Sequence, residues 1–242
     1  GPDGALYGAD WVQGFPMTGK GRVFKVSDPV MSKTPLVLET KQLLAEGFSG
    51  RTPEDLIRLL EHADLRVRQG SQFALVSRGP PVLPLLENAV ASGPLSRRLH
   101  ALWALRQLGR PQAIVGLVQD PEPELRAQAV RVLGDLSGQG AVRVLTAMIE
   151  DPDLRVRGFA MTALGKAGRL RALEPALRFL RENGADPFLR HAAVMALVEG
   201  GDAGALMKAA VGRTSEERLG ILLALRRLKA TEIAGFLADP DP

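Results

Sequence analysis

The chain has 242 residues, and its 31 Lys and Arg outnumber its 27 Asp and Glu to give a formal net charge of +4. Apolar residues make up 45% of the sequence but aromatic residues only 5%, a balance that excludes global disorder and favours helices over a β-sandwich. The absence of Cys excludes disulfides and thiolate metal sites. The sequence contains no run of 18 apolar residues, so it predicts no transmembrane helix.

The N-terminal segment, residues 1–29, has the alternating pattern of β-strands. Residues 3–11 indicate a turn followed by a short strand, and residues 21–27 alternate as a second strand would. The segment 13–20 between them contains Gly and Pro and predicts a hairpin loop. Because an isolated hairpin is only marginally stable in water, we expect these strands to be the last ones of a larger β domain.

A linker follows at residues 30–52, with a bridging helix predicted over 35–47, and a repeated pattern then occupies residues 53–242. In each unit of this pattern an Ala-Leu or Val-Leu pair begins six residues after an Arg. Such self-similarity at intervals of 28 to 33 residues predicts a repeat architecture. The six residues of this arginine series are Arg68, Arg98, Arg126, Arg157, Arg190 and Arg218.

Each unit of the pattern predicts two helices joined by a tight turn. An Asp or Thr that can cap a helix stands shortly before each Arg but one, often followed by Pro, which suits the first helical turn. A second, shorter apolar-periodic stretch, such as residues 142–149, predicts the other helix of the pair. Since two helices cannot bury their apolar faces alone, neighbouring pairs must stack. The predicted caps are Asp64, Asp120, Asp151, Asp186 and Thr214.

The repeat has a recognisable local sequence. Residues 151–157 read Asp-Pro-Asp-Leu-Arg-Val-Arg and precede an Ala-rich helix, which resembles the short bacterial HEAT repeats also called PBS-lyase-like HEAT repeats. The resemblance covers residues 53–242 and implies an all-α fold, a right-handed α-α superhelix in which about six helix pairs form a HEAT-like solenoid behind the short N-terminal hairpin. Two positions depart from the pattern, since Gly-Pro replaces Asp-Pro at residues 93–94 and Lys229 replaces a closing Gly.

The N-terminal segment carries a second resemblance. Asp-Gly-Ala-Leu-Tyr at residues 3–7 and Gly-Arg-Val-Phe-Lys-Val at residues 21–26 are similar to the closing blade of glucose/sorbosone-dehydrogenase-type β-propellers. Residues 39–48 and 66–75 resemble the junction between propeller and HEAT repeats in large membrane-bound dehydrogenases of planctomycete and verrucomicrobial bacteria. This resemblance implies an envelope dehydrogenase as the parent protein, located in the periplasm or cell envelope and often carrying a cytochrome c module.

The two ends of the sequence predict a fragment or processed product. The first residue is not Met, and residues 230–242 read as the beginning of a further repeat that is cut before its second helix. A truncated array leaves an apolar end where a capping repeat is expected.

The arginine series has two interpretations. It is either a row of cations for phosphate or nucleic acid, or a structural series in which each Arg binds turn carbonyls and the capping Asp of a neighbouring unit. Its fixed position beside the caps favours the structural interpretation. Residues five and eight positions after each Arg, which we expect to face solvent, are largely apolar and favour a protein-binding groove. Among them Trp103 and Arg131, together with Arg106, predict a partner-binding anchor, with core burial of Trp103 as the alternative.

The sequence predicts no catalytic, cofactor-binding or metal-binding residues, and therefore no cofactor. His62, His100 and His191 lie in different units without a zinc-binding spacing, and neither a phosphate-binding Gly loop nor a GxSxG motif occurs. The leading hypothesis is a non-catalytic scaffold that binds a protein partner or flanking domains, without nucleic-acid binding or membrane insertion. The alternatives are a fragment that contributes to the active domain of a quinone-dependent sugar or alcohol dehydrogenase, and a nucleic-acid-binding HEAT protein.

Overall fold

The computed structural model describes residues 1–11, 21–136 and 139–239, with only the backbone of Trp11. The described chain is mostly helical with one small two-stranded sheet, which confirms the predicted fold class. It divides into two compact units, residues 1–108 and residues 109–242. The predicted hairpin loop at residues 13–20 and the last three residues of the predicted further repeat, 240–242, lie outside the described residues.

The first unit begins with two antiparallel strands, β1 (Leu6–Trp11) and β2 (Gly21–Val26), which pair Leu6 opposite Val26. A short 3-10 turn and helix α1 (Pro35–Glu46) follow. Two helix pairs complete the unit, with α2 packed on α3, α4 on α5, and α3 on α5. Their bounds are Pro53–Leu59 for α2, Leu65–Ser77 for α3, Leu83–Ala91 for α4 and Leu95–Gln107 for α5.

In the second unit the helices that carry the arginine series pack in order, α6 on α8, α8 on α10 and α10 on α12. The other helix of each pair packs behind them and closes a core of fully buried Leu, Ile, Met and Phe side chains. The helices are α6 (Pro123–Leu133), α7 (Gln139–Met148), α8 (Leu154–Gly168), α9 (Leu173–Asn183), α10 (Pro187–Gly200), α11 (Ala203–Ala210) and α12 (Ser215–Leu228). The apolar stretches at each end of the unit form 3-10 helices, Pro111–Gln119 and Thr231–Ala238.

Small residues set the spacing between α8 and its neighbours. A Cβ placed on Gly165 would lie 2.4 Å from the Cα atom of Ala196 on α10, and one on Gly134, the C-cap residue of α6, would lie 2.9 Å from the Cα atom of Ala163. Both glycines stand eight residues after an Arg of the series, a position that the sequence analysis expected to face solvent. That expectation is wrong here, because these glycines lie on the face that packs against the next helix.

Two of the predicted caps lie two residues before the residues that cap their helices. The N-cap of α6 is Glu122 and that of α8 is Asp153, not Asp120 and Asp151. The carboxylate of Asp151 instead accepts a hydrogen bond from the backbone N–H of Asp153 at 2.8 Å. This Asx turn delays the first helical residue, so the second acidic residue becomes the cap.

Side chains of the remaining predicted caps accept hydrogen bonds at the helix starts. Asp64 caps α3, and Asp186 caps α10 through the backbone N–H groups of Phe188 and Leu189. Thr214 and Glu217 form a reciprocal capping box at the start of α12. These caps fix where the arginine-bearing helices begin and therefore where each Arg lies.

Candidate interaction surface

Arg126 shows how the arginine series ties one repeat to the next. Its Nη1 donates to the carbonyl oxygens of Asp120 and Pro121, at 2.9 and 3.1 Å, in the turn before its own helix. Its Nε and Nη2 donate to both carboxylate oxygens of Asp151, at 2.9 and 3.0 Å, in the turn before the next arginine-bearing helix. This two-point ion pair is nearly buried, so Asp151 serves as the inter-repeat partner of Arg126 rather than as a cap.

The same geometry recurs at the C-terminal end of the second unit. The Nη1 of Arg218 donates to the carbonyl oxygen of Arg213 at 2.7 Å, while Nε and Nη2 donate to the carboxylate of Asp239 at 2.9 and 3.1 Å. In the first unit, the Nε of Arg98 donates to the carbonyl oxygen of Val90 at 2.9 Å. These contacts support the structural interpretation of the arginine series over a row of cations for phosphate.

A histidine takes the place of the carboxylate beside Arg68. The Nη1 of Arg68 donates to the carbonyl oxygens of His62 and Ala63, at 2.6 and 2.8 Å, as in the other repeats. Its Nε donates to the Nε2 atom of His100 at 3.2 Å, and the Nδ1 atom of His100 lies 2.7 Å from the Oε1 atom of Gln72. A neutral imidazole with its proton on Nδ1 satisfies both neighbours.

We expect His100 to make the first unit less stable in mild acid. Burial, with the nearby Arg68 guanidinium, lowers the pKa of His100 from 6.5 to about 4. Between these values the unfolded chain binds a proton that the folded unit does not, so stability falls as the pH falls from 6.5 towards 4, by about 3 kcal/mol in total. Urea unfolding followed by circular dichroism at pH 7.5 and 4.5 measures the loss.

His100→Gln provides the control, since it removes the titrating group and retains a polar side chain. The variant starts from a lower stability at pH 7.5, but it should lose less between the two pH values than the unmodified chain. Equal losses in both proteins would contradict the assignment to His100.

The predicted partner-binding residues divide between the two units. Trp103 is half-buried on α5 and meets the His100 ring edge-on, with the ring centroids 5.0 Å apart. Arg106 is exposed in the last turn of the same helix, whereas Arg131 lies on α6 in the second unit. Trp103 thus packs on a ring of its own helix, and the aromatic partner of Arg131 is a different residue.

That partner is Phe159 on α8, whose ring is flanked by two guanidinium groups. The Cζ atoms of Arg131 and Arg155 lie 5.2 and 5.3 Å from the centroid of the Phe159 ring. The Phe188 ring, 42% exposed at the start of α10, meets Phe159 at 6.4 Å in an edge-on arrangement. We call these four residues, Arg131, Arg155, Phe159 and Phe188, the aromatic–arginine cluster.

Phe159 belongs to the apolar period of its helix, but its ring is only half-buried. Arg155 and Phe159 are four residues apart on one helix, a spacing that brings side chains together and favours a cation–π contact. That spacing is the signal in the sequence that points to the cluster. Arg155 also pairs with Glu124 of α6, which fixes its position over the ring.

An open cleft lies between α10 and α12, with a volume of about 440 Å³. Its lining combines basic side chains with an aliphatic floor. We call it the α10–α12 cleft, and its lining residues are Pro187, Arg190, His191, Val194, Leu223, Arg226 and Arg227. Of these residues only Arg190, as a member of the arginine series, was a candidate from the sequence.

The helix pairs and the contacts of the arginine series define an all-α helical-repeat protein. Residues 110–198, which lie within the second unit, match the family of HEAT repeats. No curated protein sequence matches the chain.

Solved structures with some likeness to the chain include natural and designed helical proteins. An engineered protein is 19% identical, with a TM-score of 0.45 over 73% of this chain and 96% of its own. A designed armadillo repeat protein in complex with a (KR)4 peptide is 17% identical, with a TM-score of 0.42 over 73% and 98%. The complex of CpcE and CpcF of phycocyanin lyase from Nostoc sp. PCC7120 is 19% identical, with a TM-score of 0.39 over 77% and 92%.

Within the described ranges 1–11, 21–136 and 139–239, no helix has both the length and the apolar character needed to cross a bilayer. Nor does any group of three or more His, Asp or Glu side chains in these ranges have an arrangement that could hold a metal ion.

Proposed function

We propose that this chain is a protein-binding helical-repeat module and that the aromatic–arginine cluster is the centre of its binding surface. The observation that carries the proposal is the partly exposed Phe159–Phe188 pair flanked by two guanidinium groups. Aromatic residues and Arg are the side chains most enriched where binding energy concentrates in protein interfaces. A nucleic-acid-binding role is less well supported, because Arg155 is already neutralised by Glu124.

The cluster is also organised before a partner binds. Phe188 packs so closely over α8 that a Cβ on Gly158 would lie 2.3 Å from its ring. The guanidinium of Arg155 is held by an ion pair with Glu124. Because these side chains are already ordered, binding would cost little of the conformational entropy that weakens many interfaces.

Site-specific photocrosslinking tests the binding surface. The full chain, with a photoreactive phenylalanine analogue in place of Phe188, is added to extract of the source organism and irradiated. We expect a discrete adduct of defined mass, reduced about tenfold by Phe159→Ala because the flanking guanidinium groups lose their aromatic face. The analogue in place of Phe73, which is 57% exposed on α3 of the first unit, is the matched control.

Two outcomes would contradict this proposal. One is the same adduct from positions 188 and 73, which would indicate non-specific contact. The other is an adduct at position 188 that Phe159→Ala leaves unchanged although circular dichroism shows the variant folded.

We further propose that the module belongs to a larger envelope dehydrogenase of the kind that the N-terminal segment resembles. Every side chain of β2 is exposed, and on one face of the hairpin Leu6, Phe24 and Val26 are 72%, 48% and 65% exposed. An apolar face of this kind is typical of strands that pack within a larger sheet. The repeats would then orient the dehydrogenase and electron-acceptor modules of the parent protein.

The gene around this segment tests the parent assignment. A propeller-coding sequence upstream and a CxxCH haem-attachment motif downstream would support it, and unrelated flanking domains would contradict it. Quinone-dependent sugar oxidation by the parent, with and without residues 1–29, would then separate a scaffold from a segment that completes the active domain.

A further inference from the structure

The arginine series is incomplete in the middle of the second unit. The carboxylate that binds Arg126 belongs to Asp151, two residues before the N-cap of the next arginine-bearing helix. The equivalent positions before α10 and α12, counted from the caps Asp186 and Thr214, are Gly184 and Gly212. Within the described ranges, Arg157 therefore has no carboxylate partner at position 184, and Arg190 has none at position 212.

The two incomplete positions differ in whether a ligand can reach them. At the first, Gly184 is buried and the Nε atom of Arg157 is buried with no hydrogen-bond partner among the described residues. At the second, Gly212 is exposed, and a Cβ added there would meet no described heavy atom within 4 Å. The space beside Gly212 is thus open to solvent, and Arg190 lines the α10–α12 cleft.

Arg190 is held in the same way as the complete members of the series. Its Nη1 donates to the carbonyl oxygen of Gly184 at 2.9 Å, as the Nη1 of Arg126 does to the turn before its own helix. The Arg190 side chain makes no other hydrogen bond or ion pair with the described residues. On Arg126 the Nε and Nη2 atoms donate to the carboxylate of Asp151. The same two atoms of Arg190 are available to bind a carboxylate from a ligand.

The rest of the cleft adds positive charge over an aliphatic floor. Arg226 and Arg227 at the end of α12, with His191 of α10, are exposed, and their side chains form no hydrogen bond or ion pair with the part of the chain that the structure describes. Val194 and Leu223 lie below them. No acidic side chain of the described ranges lines this cleft, so its potential favours an anionic ligand.

We propose that the α10–α12 cleft binds an acidic peptide segment of a partner protein. One carboxylate of the segment pairs with Arg190 in the way that Asp151 pairs with Arg126, others meet Arg226 and Arg227, and an apolar side chain between them packs on Leu223. The Arg fork matches a carboxylate at two points, and the aliphatic floor lacks the aromatic rings on which nucleic-acid bases stack. This inference rests on the proposed function and names the chemistry of the partner.

Gly212 allows a direct test, because a side chain there can supply the absent carboxylate from within the chain. Its φ of +73° is one that Asp and Asn tolerate better than most residues. Gly212→Asp should occupy Arg190 and weaken binding of an acidic peptide about tenfold. Gly212→Asn, which has the same shape without the charge, should leave the affinity within about twofold.

The probe is a fluorescein-labelled peptide of Asp and Glu residues around a central Leu, titrated with the full chain and followed by fluorescence anisotropy. Arg226→Glu combined with Arg227→Glu should weaken binding by more than about tenfold. The control pair, Arg143→Glu with Lys208→Glu, makes the same charge change at exposed positions of α7 and α11 and should have little effect.

Three results would overturn the proposal: equal losses from the cleft pair and the control pair, equal affinities for Gly212→Asp and Gly212→Asn, or equal or tighter binding of a thymidine oligonucleotide with the same net charge. A peptide that does not bind, while the photocrosslinked adduct at position 188 persists, would reject the cleft and leave the proposed function standing. Loss of the adduct with peptide binding intact would reject the aromatic–arginine cluster instead.

Discussion

Asp151→Ala is expected to lower the free energy of unfolding of the second unit by about 3 kcal/mol, because it leaves a buried guanidinium without its counter-ion. The side chains of Arg126 and Asp151 are only 14% and 5% exposed, so water cannot replace the lost carboxylate. The substitution also removes the acceptor for the backbone N–H of Asp153, which starts α8. Urea denaturation followed by circular dichroism measures the loss.

Three further variants separate these contributions. Asp151→Asn keeps an acceptor for the Asp153 N–H and should lose mainly the ion pair. Glu150→Ala, at the residue before Asp151, removes an exposed ion pair with Arg178 and should lower the free energy of unfolding by less than about 1 kcal/mol. If Arg126→Met combined with Asp151→Ala is no more stable than the sum of the single losses predicts, the two residues are not coupled.

The repeat architecture follows from the sequence because its signals are local. A cap, an apolar period of three to four residues and a closing Gly recur at one spacing, and each acts within one or two helical turns. The same locality explains the error at Asp120 and Asp151. In Asp-Pro-Glu and Asp-Pro-Asp either acidic residue can cap the helix, and only the inter-repeat contact with an Arg shows which one does.

The candidate site was harder to predict because it depends on which helices become neighbours. Phe159 has the right spacing to be a core residue, and its contact with Arg131 comes from α6, 28 positions earlier in the chain. His100 joins Arg68 only because two repeats stack, although Gly-Pro at residues 93–94 does indicate that a carboxylate is absent there. The periodicity of a sequence predicts which face of a helix is apolar, but not which residue of a neighbouring helix packs against that face.

The second large effect is expected from Gly165→Ala, which should destabilise the second unit by about 2 to 3 kcal/mol. An added Cβ would lie 2.4 Å from the Cα atom and 2.8 Å from the Cβ atom of Ala196. Because these atoms are the backbone Cα of Ala196 and its Cβ, which has no rotamers, no side-chain movement can relieve the clash. The two helices must separate, and the apolar side chains buried between them lose contact.

Two glycines of the same unit provide matched controls for that substitution. Gly158→Ala, on the same helix, would place its Cβ 2.3 Å from the Phe188 ring, but a partly exposed ring can turn away, so the loss should be less than half as large. Gly140→Ala, in the first turn of α7, where an added Cβ meets no described atom within 4 Å, should change the stability of the unit by less than about 0.5 kcal/mol, since the full propensity gain applies to a helix interior. Thermal unfolding of the three variants gives the order, and a Gly165→Ala protein as stable as Gly140→Ala would show that the contact between α8 and α10 is not as close as the structure places it.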